Sequence, residues 1–174
     1  MTRQVNLLPN SDINPDARLV RRRAKAANPP VRKRPPGLAE VLAALAAGAT
    51  TTEAAHALGL KVGDLAPLLA RTGVRTGAGI PSALHTAYSS RTLAPPAAEP
   101  VPAGIGADEI RLWHALATEP TSAGVARAAG LPHAAVHRAI QRLRHRAGAR
   151  TSGELIRIGH ATGLLAPSVP QYRR

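Results

Sequence analysis

The sequence predicts an all-α protein made of two tandem small units of about four helices each, behind a disordered basic arm. Three observations predict it. Apolar residues recur at helical spacing in two Ala/Leu-rich stretches, a Pro-rich segment divides those stretches, and the two share an internal repeat. Residues 1–36 hold no sustained apolar period. They contain Asn-Pro and Pro-Pro steps and a basic set of Arg21, Arg22, Arg23, Lys25, Arg32, Lys33 and Arg34, so they read as a solvated arm. Thr92 to Ala103, with Pro95, Pro96, Pro100 and Pro102, cannot sustain a helix and reads as a semi-extended linker. The expected organisation is therefore an arm over 1–36, a first unit over 37–91, a linker over 92–103, a second unit over 104–167 and a basic tail over 168–174.

The repeat becomes visible when each residue is set against the one 71 positions later. Ala-Leu-Ala occurs at 44–46 and 115–117, and Gly-Leu at 59–60 and 130–131. Beyond that point the interval becomes 75, and Gly73-Val74-Arg75-Thr76 falls on Gly148-Ala149-Arg150-Thr151. The first unit thus lacks four residues, about one helical turn.

Periodicity and capping residues draw the helices of the second unit. Ala107 to Ala117 has Ile110 and Trp113 on an apolar face, and Asp108 and Glu109 suit its positive N-terminal end. Thr121 can cap a short helix from Ser122 to Ala129, and Gly130 stops it. A third helix runs from His133 to Ala147, with Val136, Ile140, Leu143 and Ala147 in a narrow arc at 100° per residue. His137, Arg138, Gln141, Arg142 and His145 point the other way. A fourth, Ser152 to about Thr162, buries Leu155, Ile156 and Ile158.

A short helix, a Gly-containing turn and a longer basic helix make a helix-turn-helix, so the fold expected is two tandem small helix-turn-helix domains. In that motif the longer helix must carry long hydrogen-bond donors into a groove about 12 Å wide while one apolar stripe holds it to the core. No acid occurs from Pro120 to Gly153, so nothing on that surface would repel phosphates.

At these residues the chain resembles the LuxR/NarL-type helix-turn-helix, the DNA-binding domain of many bacterial response regulators and quorum-sensing regulators. The resemblance runs without a gap over Ile105 to Leu155: Glu109, Thr121-Ser122, Val125-Ala126, Gly130-Leu131, Val136-His137, Gly148-Ala149-Arg150 and Glu154-Leu155. It implies four helices, the third in the major groove and the fourth used for dimerisation. It also implies base contacts from His137, Arg138 and Gln141, and phosphate contacts from Thr121, Ser122, Arg142, His145, Arg146 and Arg150. The family commonly has Thr-Val-Lys where this chain has Ala135-Val136-His137, so one hydroxyl and one permanent charge are missing.

The first unit resembles a degenerate copy. Asp64, Ala66 and Pro67 stand where groove-facing residues should be, and the next turn is absent. Charge follows the same division. Of the 23 Lys and Arg, nine lie in 1–36 and ten in 104–174, while residues 37–103 carry four bases and four acids. The Ala/Arg/Pro/Gly-heavy usage hints at a high-GC genome, which raises Arg everywhere, so position weighs more than the net charge of +13.

Other chemistries find no footing in the sequence. There is no Cys, no Gly-rich phosphate loop, no framework for a nucleophilic triad and no apolar run of about 20 residues, so neither catalysis nor a membrane is expected. His133 and His137 stand four apart, but no third ligand lies at a local spacing, so neither metal nor cofactor is expected. The reading is a sequence-specific binder of double-stranded DNA, a cytoplasmic, nucleoid-associated transcriptional regulator reading the major groove with helix 133–147. Two alternatives stay open: an architectural or phage/plasmid DNA-handling protein of weak specificity, and an adaptor docking RNA polymerase or another protein through the first unit. A homodimer is compatible with each.

Overall fold

Residues 36–72 and 79–165 are described by the computed structural model. The expected basic arm up to Pro35, with all seven of its named Lys and Arg, lies outside them. So do the tail over 168–174 and the Gly73-Val74-Arg75-Thr76 segment.

The described residues are all-helical, with eight α-helices and no strand. The first half holds α1 (Leu38–Ala46), α2 (Thr51–Ala57), α3 (Val62–Ala70) and α4 (Ile80–Ser89); the second holds α5 (Ala107–Thr118), α6 (Ser122–Ala129), α7 (His133–Ala147) and α8 (Ser152–Ala161). Side-chain caps fix several starts. Thr50 accepts from the Glu53 N–H at 3.2 Å while Glu53 accepts from the Thr50 N–H at 2.8 Å, a closed capping box. At the equivalent place in the second half, Thr121 caps α6 by accepting from the Gly124 N–H. Glu40 and Glu109 reach back to the Gly37 and Gly106 N–H groups, which satisfies donors that the first turns of α1 and α5 leave free. Gly59 and Gly130 end α2 and the short α6 turn in the left-handed region, at φ 66° and 68°, where a side chain would be strained.

The repeat read in the sequence is therefore present in three dimensions: Thr50 and Thr121, like Gly59 and Gly130, are 71 residues apart and do the same work. Buried positions correspond too. Val41, Leu42, Leu45, Ala54, Ala55 and Leu65 match Leu112, Trp113, Leu116, Val125, Ala126 and Val136, all of them buried. Trp113 anchors its half, fully buried, with its indole N–H donating to the Leu155 carbonyl at 3.0 Å.

Two separate small domains are not confirmed. The described residues form one compact unit, and a single continuous core runs through both helix sets. α4 packs on α5 and α8, and α1 packs on α8. Gly153, near the start of α8, lets that helix approach α1: a Cβ there would stand 2.5 Å from the Leu45 carbonyl oxygen. The Pro-rich segment is non-helical as expected, yet it lies along the second half rather than free of it. Leu93 is buried, the Glu99 N–H donates to the Ala161 carbonyl at 3.0 Å, and Arg157 pairs with Glu99 at 2.6 Å.

Candidate nucleic-acid interface

The element that carries the candidate site is α7, fifteen residues long, where the matching α3 has nine. Its entry is stiff. Gly130 turns the chain left-handed, the Leu131 N–H returns to the Ala126 carbonyl at 2.8 Å, and Pro132 holds φ at −58° immediately before His133. Val136, Ala139 and Leu143 are buried, and Ile140 and Ala147 lie partly buried against the core. One stripe thus fixes the helix, and at 100° per residue Arg138, Gln141 and His145 project away from it. All three are exposed, as are His133, His137, Arg142 and Arg146.

The structure joins two of the three residues expected to face bases. The Gln141 amide nitrogen lies 2.8 Å from His137 Nε2, one turn away. With the ring lone pair on Nε2, the amide donates one N–H there and keeps its carbonyl oxygen and second N–H for another partner. That remaining pair is the acceptor-donor set that reads adenine through N6 and N7. Arg138 and Arg142 have no ion-pair partner among the described residues, which leaves their guanidinium groups available.

The flanks of α7 differ from each other. On one side, Ser122, His137, Gln141, Arg144 and Ser152 line a cleft of about 180 Å³ that brings the first turn of α6 beside the exposed face of α7. Thr121 uses its oxygen as the α6 cap and keeps its own O–H to donate. On the other side, Arg142 lines an open cleft of about 370 Å³ with Asp108, Glu109 and Arg111. Arg146, expected to face phosphate, turns into this flank. It donates to Glu109 at 2.7 Å and to the Gly104 carbonyl at 3.0 Å, ties to the N-terminal region of α5 that sequence spacing could not show.

Arg150 stands at the end of the same surface, exposed, 3.5 Å from Glu53. Glu53 titrates below the usual carboxylate range, chiefly because the Thr50 N–H and hydroxyl hydrogen-bond its charged form, with Arg150 adding a smaller attraction. The contact is long and solvent-exposed, so Arg150 is free to leave it for another anion.

One residue escaped sequence reasoning. Arg144 lies partly buried on the His137–Gln141 side, and its Nε is buried without a hydrogen-bond partner in the protein. Periodicity places residue 144 at the margin of the apolar arc, where a long side chain reads as a solvated edge. The signal that could have found it was its spacing of i+7 from His137, one face two turns on. No group of three or more metal-ligating side chains occurs among the described residues. No helix among them is long and apolar enough to cross a membrane.

Compared with known proteins, the chain matches no family model, no curated protein and no solved structure.

Proposed function

We propose that this protein binds double-stranded DNA sequence-specifically, as a transcriptional regulator, inserting α7 into the major groove. The observation that carries the reading is the exposed face of α7. It holds Arg138, Gln141, His137, Arg142 and His145 on a helix fixed by an apolar stripe behind a left-handed glycine turn, with no acid between Pro120 and Gly153. In this reading His137, Arg138 and Gln141 meet base edges. Thr121, Ser122, Arg142, His145 and Arg150 meet phosphates. Arg146, expected at a phosphate, instead braces α7 against Glu109.

The resemblance of Ile105–Leu155 to LuxR/NarL-type domains points to the same geometry. The test is the ratio of affinities for a selected duplex and for bulk DNA, measured at stated salt. A ratio of about 10³ or more is expected for a specific regulator. A ratio near one would leave an architectural role in its place.

A further inference from the structure

The exposed faces of α3 and α7 differ in a way that their cores do not. At the interval of 71 residues, Ala66, Pro67 and Ala70 of α3 take the places of His137, Arg138 and Gln141. None of the three can donate a side-chain hydrogen bond. Asp64, exposed, adds a negative charge where α7 has Ala135, and α3 ends at Ala70 whereas α7 continues to Ala147. The chain has two copies of one helical unit and one reading head.

The two copies meet through their fourth helices. His85 of α4 and His160 of α8 touch at 3.0 Å, Tyr88 lies with its ring centre 4.8 Å from that of His160, and Gly153 of α8 seats against Leu45 and Leu84. This contact covers α8: Leu155, Ile156 and Ile158 are buried within the single chain. Among the described residues little apolar surface remains for a second copy. Among the described residues only Val62 and Val101 are large, apolar and exposed, at 51% and 50%. A stable interface between copies needs about 800 Å² per partner around an apolar centre.

We infer that the first half occupies the place of a second subunit, so that the protein engages DNA as a monomer, on a single asymmetric site within about one helical turn rather than on an inverted repeat. The inference rests on the reading of α7 as the DNA-binding helix. An inverted repeat offers two equal half-sites about 34 Å apart, which suits two equal heads. Here the quasi-equivalent partner is built into the chain and carries a blank face, so the second half-site has no reader.

The experiment uses the full chain. Binding sequences are selected from a pool of random duplexes at stated salt, and the mass of the complex is then measured on a duplex with one recovered site and on one carrying that site as an inverted repeat. An asymmetric motif is expected, with a 1:1 complex on the first duplex and two independent, non-cooperative bindings on the second. A palindromic motif, or cooperative 2:1 binding, would overturn the inference and leave the reading of α7 intact. Absence of binding to any duplex at low salt would refute that reading and the inference with it. Asp64→Lys adds a second arm: the motif and the salt slope should be those of the wild type. A slope steeper by about one, or a second copy of the motif, would show that α3 also touches DNA.

Discussion

Gly153 tests whether the two halves form one body. It is the second residue of α8, and a Cβ built on it would stand 2.5 Å from the Leu45 carbonyl oxygen, 3.1 Å from Leu84 Cδ1 and 3.2 Å from the Leu45 carbonyl carbon. Backbone atoms cannot rotate aside, so Gly153→Ala requires α1 and α8 to separate by a sizeable fraction of an ångström. Overpacking of this kind costs about 1–3 kcal/mol. Alanine's helical advantage over glycine, up to about 1 kcal/mol, offsets part of it. The net loss should be about 1–2 kcal/mol, a fall in Tm of roughly 3–6 °C for a chain of this size. Gly63, the second residue of α3, is the matched control: it is exposed, and a Cβ there would meet nothing within 4 Å. Gly63→Ala should therefore raise Tm by about 2 °C. Both variants are read by thermal unfolding followed by the helical circular dichroism signal. If Gly153→Ala raised Tm as Gly63→Ala does, α8 would not be seated on α1 and the single-body architecture would be refuted.

Three further outcomes follow from the site and from the helix pair beneath it. Arg138→Ala and Gln141→Ala should each remove about 1–3 kcal/mol of discrimination between the selected site and a variant changed at one base pair, whereas Arg142→Ala should weaken all duplexes alike; equal losses on every duplex for all three would refute the orientation of α7. Arg144 lines the cleft beside His137 and Gln141 with its Nε unpartnered, so in the proposed docking it adds a phosphate contact; Arg144→Met keeps the aliphatic stem but removes the cation and should lower the salt slope by about one with little change in Tm, and an unchanged slope would exclude that contact. His160 titrates at about 4, below its ordinary 6.5, because burial disfavours the imidazolium and His85 stands beside it. Its neutral form is the one the fold favours, so this contribution to stability is whole above pH 6.5 and is lost as pH falls toward 4. The full shift corresponds to about 3 kcal/mol, which we reduce to about 1–2 kcal/mol because the ring is only half-buried. His160→Gln should flatten the fall in Tm between pH 6.5 and about pH 4, and equal falls in both proteins would refute the assignment.

What the sequence made legible was local. The bounds of α5 to α8 follow from apolar spacing together with Thr121 and Gly130, because caps and left-handed glycines act within a few residues of themselves. The side of α7 that meets the core was legible for the same reason. What covers each buried side was not. His85 and His160 are 75 residues apart, Arg146 and Glu109 are 37 apart, and nothing in a helical period says which distant helix completes a core. Gly153 reads in the sequence as a weak helix former, and its close seat on Leu45 is visible only once α1 and α8 are together. For the site, direction was legible and engagement was not: period turned His137, Arg138 and Gln141 away from the apolar arc, and their base-facing role came only from the resemblance. The His137–Gln141 pairing and the turning of Arg146 toward Glu109 depend on rotamers.

The two halves provide an internal comparison that separates folding from reading. Six matched pairs from Val41/Leu112 to Leu65/Val136 are buried in both, and the same Thr cap and Gly turn open and close the short helix in each. Those residues answer to the requirements of a core and a tight turn, which are alike in the two units. The exposed positions of the third helix answer to whatever they meet in solution. In α7 they are His137, Arg138 and Gln141; in α3 they are Ala66, Pro67 and Ala70. Pro67, inside α3, also lacks the N–H that would donate to the Gly63 carbonyl, so the α3 ladder is one bond short. Because the scaffolds correspond, the proposed difference in DNA affinity between the halves would have to arise from the exposed third-helix residues and the turn of helix that follows them. The fold is therefore neutral on function here, and the chemistry of one helix face decides it.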